Sequence, residues 1–184
     1  MIAAVAQTLA EILAEGSSPI STDLIDFHHP GTNQDIRPRL NLYCYNLREN
    51  TQIQNIDEQT PITRQNVCPA TNPATNTLSI SWFDISFLVT AWDCTALGEQ
   101  RLLSEVLNQL LLYRLLPEKL VVPELRGNVR GRLALRISDI GFSEAAALWS
   151  ALKVPLRSAL YVTVSVPLNS QKQPLIPKEL SVIK

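Results

Sequence analysis

Residues 78–92 constrain the fold most strongly, because they carry the strongest strand pattern in the sequence. Leu78, Ile80 and Trp82 alternate with serines, and the alternation continues from Phe83 in the opposite phase. An alternation of period two predicts a β-strand, so this long segment places a β-sheet at the centre of the fold. The change of phase between Trp82 and Phe83 predicts a β-bulge or a sharp bend there.

The rest of the chain supplies both helices and strands. Apolar spacing and stop signals predict, in chain order, a helix over 2–15, strands over 24–27 and 39–47, a helix over 99–115, a strand over 133–138, a helix over 143–152 and a strand over 159–166. In the strand over 39–47, Tyr43 and Tyr45 share one face and smaller apolar side chains share the other, which indicates a sheet covered on both sides. We therefore predict one mixed α/β (α+β) domain over 1–168, with a mixed β-sheet flanked by helices, and a C-terminal tail over 169–184.

Two features of the helical segments are specific enough to test. Thr95 is the predicted N-cap of the helix over 99–115, and Ser143 is the predicted N-cap of the helix over 143–152. In the first of these helices, the leucine pattern predicts a buried stripe of Leu103, Val106, Leu107, Leu110 and Leu111. Further leucines at 102, 112, 115 and 116 widen the apolar surface, which favours cover on two sides, within the domain or by a neighbouring subunit.

Composition and charge narrow the function classes. The 184 residues include 16 basic and 17 acidic side chains, so the net charge is −1 and the basic excess of a phosphate-neutralising nucleic-acid binder is missing. Low net charge also permits self-association. The three cysteines, Cys44, Cys68 and Cys94, form no C-x-x-C pair, which favours free thiols and a reducing, cytoplasmic location. With no signal-peptide pattern and no run of about 18 apolar residues, we expect no direct membrane insertion.

Two polar motifs are candidate ligand-binding sites. His28 and His29, with Asp26 and Asp35, could approach a metal ion, but adjacent side chains on a strand diverge, and a solvated loop is the preferred interpretation. The segment 126–132 gathers Arg126, Arg130 and Arg132 around two glycines. It could cradle an anion, although a solvated loop or the polar rim of an interface is preferred.

Sequence motifs of catalysis are missing. The sequence has no G-x-S-x-G, H-E-x-x-H, G-x-G-x-x-G or P-loop pattern, and no acid/base constellation can be assembled from spacing. Residues 50–77 are poor in apolar side chains, and we expect either a weak strand near Ile62 or an exposed arm. We therefore predict a protein that is not an enzyme and needs no cofactor or metal.

Three segments in order carry a family resemblance. They are Leu40–Asn50, a strand that runs into Arg-Glu-Asn; Ile85–Trp92 with Glu99–Leu103 and the leucine-rich helix to Pro117; and Leu148–Leu152 with Pro155–Pro167. Together they resemble the cap, or tail-terminator, proteins of phage-tail-like contractile injection systems. The resemblance spans roughly residues 5–168.

The resemblance implies a structural protein with a tail-terminator fold. Six copies would form a ring that ends the inner tube and sheath at the end distal to the baseplate, with the tube protein and sheath protein as partners. A docking extension would be the tail from Leu168 to Lys184. The candidate interface residues are Arg48, Glu49, Asn50, Leu112, Leu116, Arg126, Arg130 and Arg132.

Two alternatives remain open at this point. A tail-completion or connector protein of a true phage would share the fold and the ring. A small-molecule-binding α/β domain is the more distant alternative, and a buried pocket with convergent polar groups would favour it.

Overall fold

The computed structural model describes residues 1–15, 20–32, 37–51, 79–126 and 133–170. Within these ranges the helices are α1 (Ile2–Leu13), α2 (Ala96–Leu112), α3 (Pro123–Arg126) and α4 (Phe142–Ala151). The strands are β1 (Ile25–Asp26), β2 (Arg39–Glu49), β3 (Ser79–Trp92), β4 (Ala134–Ile137) and β5 (Ala159–Ser170), and two 3-10 turns lie at Thr22–Leu24 and Glu118–Leu120. The predicted order of major elements is confirmed.

The strands of the described residues form one mixed sheet in the order β1-β2-β3-β5-β4. β1 runs parallel to β2, and the other neighbours are antiparallel. β3, the segment with the strongest alternation, lies in the centre, where it pairs with β5 from Ser79 to Thr90 and with β2 from Phe83 to Trp92. The predicted mixed sheet flanked by helices is therefore confirmed.

One face of the sheet builds the main hydrophobic core. Ile85, Phe87 and Val89 of β3 are at most 1% exposed, and α1 and α2 pack over them with their buried stripes. Because the even-numbered residues of β5 share this face, Val162, Val164 and Val166 complete it, as their alternation predicted. We call this side of the sheet the core face.

The opposite side of the sheet, the polar face, is also covered. Leu88 is fully buried there, and Trp149 of α4 packs on this side with its indole N–H donating to the hydroxyl of Tyr161 at 3.0 Å. Thr163 and Ser165 point to the same side and are buried rather than exposed. The predicted cover on both sides is confirmed, with α1 and α2 on one face and α4 on the other.

A β-bulge is present, but on a different strand from the one predicted. β3 pairs with β5 without interruption past Trp82 and Phe83, so a bulge there is wrong, while the alternative of a sharp bend stays a prediction. The extra residue is Tyr45 of β2, since Cys44 pairs with Phe87 and Asn46 pairs with the next residue, Ser86. After this bulge, Arg48 lies opposite Asp84 on the polar face.

The two helix starts differ in how they are capped. The hydroxyl of Thr95 accepts a hydrogen bond from the N–H of Gly98 at 3.0 Å, which confirms the predicted N-cap of α2. The cap predicted at Ser143 is wrong, because α4 begins at Phe142 with Gly141 at its N-cap position. The helix therefore starts before Ser143, inside what the sequence pattern assigned to the preceding loop.

Several predictions fall on residues outside the described ranges. They concern the weak strand near Ile62, Cys68, Asp35 and the arginines Arg130 and Arg132. The predicted tail overlaps the last strand, because β5 continues to Ser170, and 171–184 lie outside the described residues. None of the described helices is long and apolar enough to cross a membrane.

Candidate interface surfaces

The first candidate surface is formed by leucines near the C-terminal end of α2. Leu111 is 64% exposed, Leu112 is 70% exposed and Leu115 is 49% exposed. We call these three residues the leucine patch. Large apolar side chains that cluster on a surface mark a contact site more often than single exposed ones do. Leu112 is thus available for the interface role that was predicted for it.

The same stretch corrects two other predictions. Leu116 was a candidate interface residue, but it is 1% exposed and belongs to the core, so it is not available to a partner. Leu111 was expected in the buried stripe and is exposed. Leu111 lies in the last turn of α2, on its exposed side. Leu116 is buried because α2 ends at Leu112 and the chain continues in extended form: the N–H of Leu116 donates to the Leu133 carbonyl, and that of Leu135 to the Arg114 carbonyl. In this extended segment successive side chains point to opposite sides, so Leu116 faces the core while Leu115 stays exposed.

The second candidate surface surrounds Asp84, whose side chain is 1% exposed on the polar face. The amide of Asn50 donates to both carboxylate oxygens, at 3.1 and 3.0 Å, and the hydroxyl of Ser165 donates to Oδ1 at 2.6 Å. Guanidinium nitrogens of Arg48 and Arg136 lie 3.6 and 3.7 Å from Oδ2. We call these five residues the Asp84 cluster.

The Asp84 cluster holds a carboxylate in the interior while presenting two guanidinium side chains outside. A buried carboxylate is tolerated when hydrogen bonds and opposite charges compensate for its lost hydration. Here the hydrogen bonds come from Asn50 and Ser165, and the charges come from Arg48 and Arg136. The two arginine side chains are 65% and 60% exposed, so more than half of each side chain faces solvent.

Beside the Asp84 cluster runs a chain of hydroxyl groups across three strands. Ser86 Oγ and Thr163 Oγ1 lie 3.3 Å apart, and Thr163 Oγ1 and Ser138 Oγ lie 2.7 Å apart. Tyr45 also bonds to Ser86, although burial, the larger effect, raises the pKa of Tyr45 above its usual value. Each hydroxyl can donate and accept, so the hydroxyls of Ser86, Thr163 and Ser138 satisfy one another without adding charge.

The remaining predicted interface residues are dispersed. Glu49 pairs with Phe83 across the strands and so lies on the core-face side, away from Asp84, and its side chain is exposed. Arg126 folds back on its own turn, donating to the carbonyls of Val121 at 2.8 Å and Lys119 at 3.1 Å. Among the predicted interface residues that the structure describes, only Arg48 and Asn50 come together.

Asp84, Arg136 and Ser165 were not predicted as members of a site. Each was visible only as a polar position in an alternating strand. The signal that could have revealed this site was Asp84 itself, a carboxylate between apolar residues in the most strongly predicted strand. A buried Asp is rare without partners, so partners on neighbouring strands could have been expected.

The histidine pair lies beside a small cleft. The ring of His29 contacts Tyr43 edge-on with 5.4 Å between centroids, and its Nδ1 accepts from the N–H of Gly31 at 3.2 Å. An ion pair between Arg39 and Asp26, 2.9 Å long, also borders the cleft. Its volume is ≈ 140 Å³, which is below the roughly 300–1,000 Å³ of small-molecule sites.

The fold built by these elements also occurs in two solved terminator structures. The solved structure described as a PVC sheath/tube terminator of an extracellular contractile injection system, in its extended state, aligns over 92% of this chain with a TM-score of 0.61 and 17% identity. The tube-terminating cap of the anti-feeding prophage aligns over 98% with a TM-score of 0.56 and 15% identity. Both likenesses establish the tail-terminator fold.

The family follows from the sequence match. The Pvc16 N-terminal domain family matches residues 4–180, and the chain belongs to that family. The sequence matches no curated protein. The chain spans 57% and 60% of the lengths of the two solved structures, so it corresponds to about three fifths of each.

Proposed function

We propose that this chain is a structural cap of a contractile injection particle, which ends the inner tube and the sheath at the end distal to the baseplate. The observation that carries the proposal is the family match over 4–180 together with a terminator fold that aligns along almost the whole chain. The role is mechanical, and we assign it no catalytic step and no cofactor.

A cap is needed because a growing tube has no intrinsic end. Each added layer presents the same surface to the next, so polymerisation stops only when a different surface occupies the end. A closed ring that matches the tube on one side and differs on the other meets this need. We propose a ring of six copies within the particle, with the tube protein and sheath protein as neighbours.

The leucine patch supports self-association. Leu111, Leu112 and Leu115 expose apolar area that a neighbouring copy would remove from water, at about 25 cal/mol per Å². A net charge of −1 adds little long-range repulsion between copies. A ring contact joins two different surfaces of each subunit, so this patch would supply one part of it.

Deleting the gene tests the cap role directly. We expect baseplates, tubes and sheaths to be made but poorly finished, with overlong tubes, ragged distal ends, or sheaths that contract without an attached tube. Electron micrographs of the deletion strain provide the measurement, and complementation with the wild-type gene is the control. Particles of normal length with intact distal ends in the deletion strain would overturn the proposal.

A truncation separates ring formation from docking. Removing 171–184 leaves β5 intact to Ser170, so the sheet should still form. If the tail docks onto the tube or sheath, the truncated protein should assemble normally when purified and yet fail to restore particle length. Full complementation by the truncated protein would assign docking to the folded domain instead.

A further inference from the structure

The Asp84 cluster carries more positive charge than is required to compensate the charge of its one carboxylate. Two guanidinium groups, those of Arg48 and Arg136, face one carboxylate, so the cluster carries a net charge of +1. Asn50 and Ser165 already donate three hydrogen bonds to Asp84. The arginines stand beyond hydrogen-bonding distance from it, at 3.6 and 3.7 Å, and are more than half exposed.

This arrangement suits the binding of a second carboxylate from outside. A guanidinium has five N–H donors, and a group held by a buried charge on one side keeps its outer donors oriented towards solvent. The attraction to Asp84 favours conformers of both arginines that lie near the carboxylate, which reduces the side-chain entropy lost on binding. Helix α4 covers the polar face around Leu88 and Tyr161, whereas the Asp84 cluster lies farther along β3.

The helical layer on the other side of the molecule has the complementary charge. α1 contains no basic residue and has Glu11 on its exposed surface, while α2 carries the half-buried Glu105. Neither carboxylate has an ion-pair partner among the described residues, and Arg101, one turn before Glu105, forms no ion pair with it. The acid at the start of α2, Glu99, is already paired with Arg157.

We infer that the Asp84 cluster of one copy docks against the α1–α2 layer of the next copy, with Arg48 and Arg136 facing Glu11 and Glu105. The inference rests on the ring of the proposed function and specifies how neighbouring subunits recognise each other. A head-to-tail contact joins opposite sides of a subunit, and here those sides are a positive sheet face and an acidic helical layer. Opposite charges across the contact fix its register.

Charge reversal on the purified full chain tests this contact. Reversing Arg48 and Arg136 alone would leave Asp84 among negative charges, so the test protein is Arg48→Glu/Arg136→Glu/Asp84→Asn, in which residue 84 can still accept from Ser165. At 10 µM and low salt, roughly 0.05 M, we expect a ring for the wild type by light scattering, and at least a tenfold weaker association for this variant. Unchanged circular dichroism and melting temperature establish that it is folded.

Matched variants make the test specific. Glu11→Arg/Glu105→Arg should weaken the ring to the same extent, and combining all five substitutions in one chain should restore it. Lys153→Glu, an exposed charge reversal in the turn after α4, should leave the ring intact. Loss of the ring in both reversed variants without restoration in the combined chain would overturn the pairing of these two surfaces.

The outcomes distinguish this inference from the ring itself. A wild-type ring that resists both charge reversals would overturn the docking contact while leaving the cap role intact. A monomeric wild-type protein would overturn self-association of the free chain and this contact together. The salt dependence of assembly provides a further test of the charge pairing. If opposite charges hold the register, about 1 M salt should screen them and weaken the wild-type ring.

Discussion

The guanidinium of Arg157 lies over the indole ring of Trp92, with 3.7 Å between its central carbon and the ring centroid. The same guanidinium forms an ion pair with Glu99 in the first turn of α2. One side chain from the loop before β5 thereby joins the end of β3 to the start of α2. Both members of the ion pair are about three quarters buried.

Replacing Arg157 tests whether its planar group matters beyond its charge. Arg157→Lys keeps the charge and loses the flat stacking surface, so we expect a loss of about 1 kcal/mol in the free energy of unfolding. Arg157→Ala should cost more, because Glu99 then loses its partner as well. Urea denaturation measures both, with Arg101→Lys on the exposed face of α2 as the control. Equal stability of Arg157→Lys and wild type would show that charge alone is sufficient.

Trp149 anchors α4 on the polar face and is 1% exposed. Trp149→Ala should destabilise the protein by roughly 3–5 kcal/mol, because it removes the largest buried side chain on that side. Tyr161→Phe removes only the acceptor of the indole N–H, and should cost about 1 kcal/mol. Thermal unfolding followed by circular dichroism gives the comparison. A Trp149→Ala protein with an unchanged melting temperature would contradict this role.

Glu15 makes stability depend on pH through Tyr113. The Tyr113 hydroxyl donates to Glu15 at 2.6 Å and the Lys119 ammonium donates at 2.9 Å, and these bonds, the first above all, lower the pKa of Glu15. A lowered pKa in the folded state stabilises the fold above the ordinary pKa of Glu, and this contribution is lost as pH falls through the lowered value.

Tyr113→Phe should therefore be less stable than wild type at pH 7, and the difference in melting temperature should shrink below pH ~4 as Glu15 is protonated. Tyr43→Phe provides the control, because its ring contact with His29 needs no hydroxyl. We expect its difference from wild type to stay constant with pH. A Tyr113→Phe difference that is the same at pH 7 and pH 3 would refute the linkage to Glu15.

Cys94 is exposed but should react slowly. Its thiol donates to the Asp93 carboxylate at 3.1 Å, and this bond raises the pKa of Cys94. Since the thiolate is the reactive form, Asp93→Asn should speed alkylation by iodoacetamide at pH 8, as followed by mass spectrometry. Asp139→Asn is the control. Cys44 and Cys94 are free thiols in the structure, and we expect Cys68 to be labelled with them after denaturation without reductant.

Much of the fold could be predicted because its signals are local. The buried stripe of Leu103, Val106 and Leu110 follows from helical spacing alone, and the alternation of β5 identifies its inward face. The end of α2 could not be predicted in this way. Leu115 and Leu116 continue the leucine run, and what ends the helix is backbone pairing with residues 133–135, far along the chain.

The Asp84 cluster depends on contacts that no local pattern contains. Arg136 approaches Asp84 only because β4 pairs with β5 and β5 pairs with β3. The family resemblance marked Arg48 and Asn50 as candidate interface residues, but it did not identify Asp84 as the residue that both contact. Strand order is set by packing over the whole sheet, so the sequence could suggest which residues are polar but not which of them meet.

Because of the bulge at Tyr45, the pairing of β2 with β3 depends on the number of residues in this stretch. If Tyr45 were paired with Ser86 instead of bulging out, Leu47 would lie opposite Asp84, and Arg48 would move to the core-face side opposite Phe83. The partner of the buried carboxylate is thus specified by the number of residues between Cys44 and Arg48 as much as by their identity. Deleting Tyr45 would flatten the bulge and keep Arg48 opposite Asp84, whereas inserting one more residue beside the bulge would exchange an arginine for a leucine there.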